Sequence, residues 1–543
     1  MKDLSSSFQT SAAVDFTYIG VSKTNINNNN VYDATFVNNA FNTFGDFPEN
    51  REKSGNCFDQ DKCDPNANVK DDSKLEKEEL ELQLRADEQE NARILKYKIG
   101  KTAFLIVCWI INGLLLAIRF PTLPDLRERV DVPYDEFSPA LTSRHIGWII
   151  GCLIGGFCFD RFQKGWDLQL AIGFLVQAVA VGVKPLSRTV FTMALCFFGE
   201  GLAHGIHGLV GNAMCLALWG HKAPPLILAM SFGFRGGQFL APILAYPFLG
   251  LRNATTATIG DINATNGNYS TSVRQFSSDI EIPHLIVGVV GAVCAIGFLI
   301  FFICPKPEKL VLSNRPKSSK PLEFLSPASC TGGSMGAGIL FTFTFFLYYV
   351  LMLVTGTSFA TYQAPVTQDT LGLTKPDSAL MSTLQKGCGL ASMLIFTPIT
   401  RCAPIVALVY IVHHGVLAIN IYALIYGIES VQAFAVSSCV YDVFSAPYFG
   451  IGLSWAQLYM NTTGAAIMCF NIGVGVGGIL SETIGGSLLT NTGAKGLLWM
   501  NLICSIVFCV LVYTTTVIMK CYGTKEERLR KAEEKFKSED SRT

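Results

Sequence analysis

The chain has 543 residues, half of them hydrophobic and only 15% charged. A water-soluble protein of this size needs more charge to cover its surface, so an ordinary set of soluble domains is excluded and lipid is indicated. Lys and Arg balance Asp and Glu at 42 each, so net charge names no partner and only the placement of the charges is informative.

Residues 1–97 contain no long apolar run. The Asn-rich stretch Asn25 to Asn30 and the acidic, Lys-rich part after Asp71 cannot bury a core, so a cytoplasmic, largely disordered tail is expected. Ser73 followed by Glu76 has the form of a capping box, from which a solvated charged helix runs toward Lys96. The first apolar run begins only near residue 102, so no cleavable signal peptide is expected.

Apolar segments follow at about 102–120, 144–160, 168–186, 189–218, 226–249 and 284–304, then at about 337–357, 378–399, 404–426, 431–453, 462–484 and 497–519. A bilayer core is crossed by roughly 20 apolar residues, and lipid leaves the backbone no partner but itself, so each run predicts a helix. The expected fold is therefore an all-α membrane protein of twelve transmembrane helices in two six-helix bundles. The bundles span 98–305 and 336–520, with a basic cytoplasmic linker at 306–335 and a cytoplasmic tail at 521–543. Such a plan places a solute site between the halves.

Basic residues cluster at Arg93, Lys96, Lys98 and Lys101, at Lys306, Lys309, Arg315, Lys317 and Lys320, and from Lys520 to Arg530. With an even number of helices these clusters share one side, which the positive-inside rule makes cytoplasmic, with both termini. Three acceptor sequons, at Asn253, Asn263 and Asn268, crowd the loop after the fifth segment on the opposite side and predict glycosylation there. The expected location is the plasma membrane, as a multi-pass monomer. Most cysteines, among them Cys108, Cys152, Cys196, Cys294 and Cys469, fall in apolar segments and read as packing residues, and no metal site is expected.

The loop after the second segment reads Gly155-Gly156-Phe157-Cys158-Phe159-Asp160-Arg161-Phe162-Gln163-Lys164. It resembles the inner-loop signature of the major facilitator superfamily, which implies gating roles for Gly156, Asp160 and Arg161. A plain helix end with interfacial charges is the alternative. Further on, Gly211-Asn212-Ala213-Met214-Cys215-Leu216-Ala217-Leu218-Trp219-Gly220 is followed by Ser231-Phe232-Gly233-Phe234 and Ala241-Pro242. The tenth segment adds Val440-Tyr441, Phe449, Gly452 and Ser454-Trp455. Together these resemble the branch of sodium-dependent glucose transporters that is related to bacterial fucose permeases. The resemblance implies a hexose as solute, sodium as coupling ion and a place for Tyr441 in the substrate site. Three acids of that branch are missing: Gly208, Leu353 and Gly478 stand at their positions, although Glu482 lies one turn beyond the last.

A charge at the bilayer centre costs about 2.5–3.5 kcal/mol on insertion scales, which makes each such residue a functional candidate. Glu200, His204 and His207 share one face of the fourth segment, and Arg235 is in the middle of the fifth. A buried Glu200–Arg235 pair flanked by the histidines is expected, serving either as a proton-coupling site or as a static brace. Trp109, Asn112, Gln238 and Asn471 supply amides and an aromatic face near the midplane. That combination suits a hydroxylated solute, and interhelical hydrogen bonding is the alternative use. Gln385, Lys386 and Asp442 are further ionisable or polar insertions, and Lys386 with Asp442 would suit an anionic or zwitterionic substrate, which keeps a non-sugar cargo open as an alternative. No phosphate-binding loop or hydrolase motif appears, and no enzyme activity or resident cofactor is expected. The reading is a secondary active or facilitative transporter of a small polar solute, a hexose, with sodium or proton as co-transported ion. The alternatives are a carrier of an organic ion or amino acid, and a transporter-like solute sensor that moves nothing.

Overall fold

The computed structural model describes residues 69–162, 165–250, 278–304, 307, 330–331, 335–461, 464–525, 527–528, 530 and 534. The three sequons at Asn253, Asn263 and Asn268 lie outside the described residues, as do the side chains of Asp160 and Arg161.

The first helix, α1 (Val69–Ala117), is 49 residues long. Strong helix formers run from Lys74 to Lys98 with no Gly or Pro before Gly100, so nothing interrupts the charged front before the first membrane span. At 1.5 Å per residue it is roughly 70 Å long, more than twice a hydrocarbon core. The helix thus passes without a break through the expected boundary at 97. A kink at Ile118 leads into α2 (Arg119–Val130), which ends where Asp131 adopts a left-handed conformation.

The remaining helices are α3 (Tyr134–Arg161), α4 (Trp166–Val183), α5 (Val190–Trp219), α6 (Pro224–Ala245), α7 (Glu281–Ile303), α8 (Met335–Pro365), α9 (Lys375–Cys402), α10 (Ile405–Tyr426), α11 (Val431–Ser445), α12 (Tyr448–Tyr459) and α13 (Gly464–Tyr522). Their starts carry recognisable caps. Thr189 and Thr192 form a reciprocal box at α5, Thr374 accepts from Asp377 at α9, and Ser430 accepts from Ala433 at α11. Among the described residues, ten helical stretches are long and apolar enough to cross a membrane. Two features bring the crossings to the expected twelve. α13 holds two legs that reverse at Gly493 (φ 69°, ψ −164°), a conformation closed to L side chains. α11 and α12 form one crossing broken at Ala446–Pro447, too short in either piece to span alone.

The polarity is inside out. Large apolar side chains such as Val107, Ile172, Leu285 and Ile303 are exposed, whereas Glu200, Glu482 and Lys184 are buried. Such helices cannot associate through the hydrophobic effect and rely on close backbone approach. α3 and α5 achieve it with glycine: a Cβ at Gly201 would fall 1.8 Å from the Arg144 carbonyl oxygen, and one at Gly205 would fall 2.4 Å from that of Trp148. This approach brings Arg144 against Glu200.

The tail side of the molecule is the one from which α1 enters and α13 leaves, and the distal side is the other. The two bundles meet chiefly through α3 with α13 and α6 with α9. Several of their polar bridges lie in the distal half. Lys375 reaches Asp125 at 2.5 Å, the backbone N–H of Asp135 donates to Thr490 at 3.1 Å, and the hydroxyls of Thr142 and Thr483 are 3.0 Å apart. The last bridge toward the tail side is a 3.3 Å hydrogen bond from Trp148 Nε1 to the Asn471 carbonyl. The distal side of the interface is therefore closed.

Candidate functional site

Two buried carboxylates organise the middle of the molecule. Glu200 stands ten residues into α5, about 15 Å from the distal end of that helix. Its Oε1 accepts from Arg144 Nε at 3.1 Å, and its Oε2 from the ammonium of Lys184 at the end of α4. Lys184 also rests on the Phe197 ring, 4.2 Å from its centroid. All three belong to the N-terminal bundle. The expected partner, Arg235, is not there. α6 packs on α1 and α9 rather than beside the distal half of α5, so Glu200 finds its cations on α3 and α4 instead.

Glu482, on the first leg of α13, joins the bundles. Arg119 Nη1 donates to its Oε1 at 3.1 Å, and His145 Nε2 stands 3.3 Å from the same oxygen. Tyr362 donates to the Glu482 backbone carbonyl at 2.7 Å. Glu482 Oε2 has no hydrogen-bond partner among the described residues. Arg144 and His145, adjacent in sequence, thus serve two different carboxylates, one in each bundle. His145 has room because residue 478 is glycine: a Cβ there would fall 2.1 Å from His145 Nδ1. Each of these groups depends on its neighbours, since removing one partner of a buried pair strands the other charge at a cost of about 3–5 kcal/mol.

Toward the tail side lies a polar and aromatic layer. Asn112 Oδ1 accepts from Gln177 Nε2 at 3.1 Å and lies 3.2 Å from His204 Nδ1. The His204 ring lies against Trp148 at 4.6 Å and Phe234 at 5.6 Å between centroids. Trp148 in turn reaches Asn471 in the other bundle, whose own side chain donates to Ile467 O at 2.8 Å. Trp109 is buried under Gly211, with Cη2 1.8 Å from where a Cβ would stand. His207 stacks on Phe174 at 4.0 Å, away from this layer, and reads as packing.

A third group sits where α6 meets the C-terminal bundle. Lys386 Nζ is 3.5 Å from Asp442 Oδ2, and a Cβ at Gly387 would lie 3.2 Å from Phe239 of α6. Arg235 donates to Gln238 Oε1 at 3.4 Å and to the Ala446 carbonyl at 3.3 Å. That carbonyl is one of those freed by the break between α11 and α12. Tyr441 is stacked on Phe359 at 5.0 Å between centroids and is buried.

The sequence-based set thus divides. Asn112, His204 and Asn471 come together around Trp148, while Gln238 accompanies Arg235 across the same interface. Trp109 and Tyr441 pack behind. On the tail-side half of α3, a Cβ at Gly156 would meet Leu209 at 3.8 Å. Arg119, Arg144, His145, Trp148 and Lys184 were not anticipated. For Arg144 and His145 the signal that could have found them is the run Tyr134 to Ser143, which is helical here and moves both from a helix end to its middle. Two apolar surface clefts lie elsewhere, one formed by Leu175, Val179 and Leu195 and another by Leu488, Trp499 and Ile503, both on outward faces.

No family model matches the chain. Over 370 residues it is 25% identical to sodium-dependent glucose transporter 1 of Homo sapiens, covering 67% of this chain and 69% of that protein. With sodium-dependent glucose transporter 1A of Mus musculus it shares 25% over 385 residues, covering 69% and 86% respectively. Among solved structures a D-xylose–proton symporter superposes with a TM-score of 0.58 at 15% identity, covering 77% of this chain and 97% of that one. The chain has the twelve-helix facilitator fold.

Proposed function

Taking as premise a facilitator-type fold and a sequence similar to the sodium-dependent glucose transporters, we propose that this chain is a secondary transporter of a small hydroxylated solute of hexose size, working by alternating access. One observation carries the reading. The layer of Asn112, His204, Trp148 and Asn471 spans both bundles directly below the Glu482 bridge, so a solute there touches both halves and the bridge that closes the distal side. Amides and imidazole offer donors and acceptors to hydroxyls, and the indole offers a face to sugar C–H groups. Alternating access then requires the distal bridges to break when tail-side ones form.

Coupling is assigned to Glu482. Its free Oε2 would accept a proton, and neutralising the carboxylate would release Arg119 and His145 and with them the distal closure. Sodium, the ion in the names of the relatives, prefers oxygen ligands, whereas the neighbours of the Glu482 carboxylate are the nitrogens of Arg119 and His145. A proton fits that donor set better. The chain is read as a monomer in the plasma membrane, and the Lys and Arg distribution supports the placing of both termini in the cytoplasm. The distal closure then makes this the cytoplasm-facing state. Removal of N-glycans should lower the apparent mass of the cell-expressed chain, and the triple change of Asn253, Asn263 and Asn268 to Gln should abolish that shift.

The test is uptake of labelled glucose, fucose and a neutral amino acid by purified protein in liposomes, under a proton gradient, a sodium gradient or neither. Sugar uptake stimulated by the proton gradient supports the reading. Stimulation by sodium alone overturns the assignment to Glu482. No uptake of glucose or fucose under any gradient, beside a working control transporter, overturns the neutral hexose and leaves a carrier of an organic ion or amino acid, or a sensor.

A further inference from the structure

The ionisable groups in the middle of the molecule, within the N-terminal bundle and between the bundles, do not balance. The connected sets hold five cations, Arg119, Arg144, Lys184, Arg235 and Lys386, against three carboxylates, Glu200, Glu482 and Asp442. Of the pairs nearer the two membrane faces, Lys101 with Asp167 and Arg129 with Glu281 balance, while Lys375 against Asp125 and Glu128 leaves one carboxylate over at the distal end; none of these carboxylates is paired with Arg235. Four of the five cations lie within 3.5 Å of a carboxylate, and the fifth, Arg235, has no carboxylate partner among the described residues.

Arg235 is also placed where a cargo must pass. It is twelve residues into the 22-residue α6, in the middle of the span, and is half-buried rather than sealed. Its two hydrogen bonds are long and go to neutral acceptors, the Gln238 amide and the Ala446 carbonyl. The second crosses to the opposite bundle at the break between α11 and α12, so it must be given up when the bundles rock apart. A guanidinium carries five N–H donors in a planar fork that fits a carboxylate bidentately. An unneutralised guanidinium at mid-membrane is costly unless something anionic joins it. Its present contacts leave most of that capacity unused.

Resting on the transport reading above, we propose that Arg235 is the specificity-determining residue for an anionic group on the cargo, and that the solute is a carboxylated sugar rather than a neutral one. The carboxylate binds the Arg235 fork in place of the Ala446 carbonyl, with Gln238 beside it, while the hydroxyls face Asn112, His204 and Trp148. Lys386 stays neutralised by Asp442 and does not compete for the anion. No covalent step is involved, and the proton required at Glu482 is separate from the charge carried by the solute.

The experiment uses the full-length chain in liposomes, with labelled glucuronate, glucose and glucose 6-phosphate supplied under the same proton gradient. The variants are Arg235→Gln and Arg235→Lys. In the wild type, glucuronate uptake should exceed glucose uptake by at least tenfold. Arg235→Gln should lower that ratio by tenfold or more and Arg235→Lys by less, because an ammonium keeps the charge but loses the fork. The ratio is taken within one vesicle batch, so it does not depend on how much protein is folded. Equal wild-type uptake of glucose and glucuronate overturns the anion assignment and leaves the transport reading standing. An unchanged ratio in Arg235→Gln overturns the role of this residue, and preferential uptake of glucose 6-phosphate overturns the carboxylate as its ligand. Uptake of none of the three, beside a working control, removes the transport reading and this inference with it.

Discussion

His145 of α3 and Glu482 of α13 approach to 3.3 Å across the bundle interface, and they do so in space that exists only because residue 478 carries no side chain. A Cβ at that position would overlap the imidazole itself, 2.1 Å from Nδ1 and 2.2 Å from Cε1. The closed distal side therefore depends on one missing methyl group as well as on a carboxylate.

Gly478→Ala should consequently displace His145 and loosen the bridge. Overpacking of this kind costs about 1–3 kcal/mol, and the melting temperature in detergent should fall with it. Gly182→Ala is the control, because a Cβ there meets nothing within 4 Å. That variant should melt no lower than wild type, since alanine is the better helix former. Equal melting of both variants and wild type would contradict the packing at residue 478.

The hydroxyls of Thr142 and Thr483 are 3.0 Å apart on opposite bundles. Replacing both with cysteine should allow a disulfide that locks the distal side shut. Oxidation should then abolish uptake in the double variant, and a reductant should restore it. The wild-type chain, oxidised in parallel, controls for its native cysteines. Full uptake in the cross-linked protein would mean that this contact does not open during transport.

Glu482→Gln removes the charge that holds Arg119 and His145. The distal side should open more often, so a cysteine at Ser138, which is 4% exposed, should react several-fold faster with a membrane-impermeant thiol reagent than in the parent. Stimulation of uptake by a proton gradient should disappear in the same variant. Unchanged labelling together with intact stimulation would refute both the gate and the coupling role of Glu482.

Within the N-terminal bundle the expected order of damage is specific. Glu200→Gln leaves Arg144 and Lys184 buried without a counter-charge, a loss of about 3–5 kcal/mol per broken buried pair. Lys184→Met removes only one of two cations, and Glu200 keeps Arg144 at 3.1 Å. Thermal melting should rank wild type above Lys184→Met and Lys184→Met above Glu200→Gln. The reverse ranking would show that Lys184, not Arg144, is the partner that matters.

Much of the architecture is legible in the sequence, because hydrocarbon imposes one rule on every apolar run. The run near 102–120 and the one near 497–519 had to be helical, and their even number fixed that both ends leave on one side. The helix ends are less legible. α3 begins at Tyr134, ten residues before the apolar stretch that announces it, because Tyr134 to Ser143 faces protein rather than lipid and has no need to be apolar. That offset hides Arg144 and His145 at a supposed membrane edge. In the same way Arg119 and Lys184 look like residues free to reach water, yet both are buried.

The pairing of charges could not be read at all. Glu200 and Arg235 look like partners because both are mid-helix and opposite in sign, which are one-dimensional properties. Which cation reaches Glu200 depends on which helices are neighbours, and α5 lies against α3 and α4 there while α6 leans on α1 and α9. The sequence by itself determined the solvent of this protein, the number of its crossings and the polar residues that lipid could not tolerate unpaired. Only the tertiary structure decided their partners: Glu200 with Arg144 and Lys184, Glu482 with Arg119 and His145, and Arg235 with neutral acceptors alone. The reason is geometric, since a charge in the membrane must be neutralised by whatever stands within a few ångströms, and helix packing alone sets that neighbour.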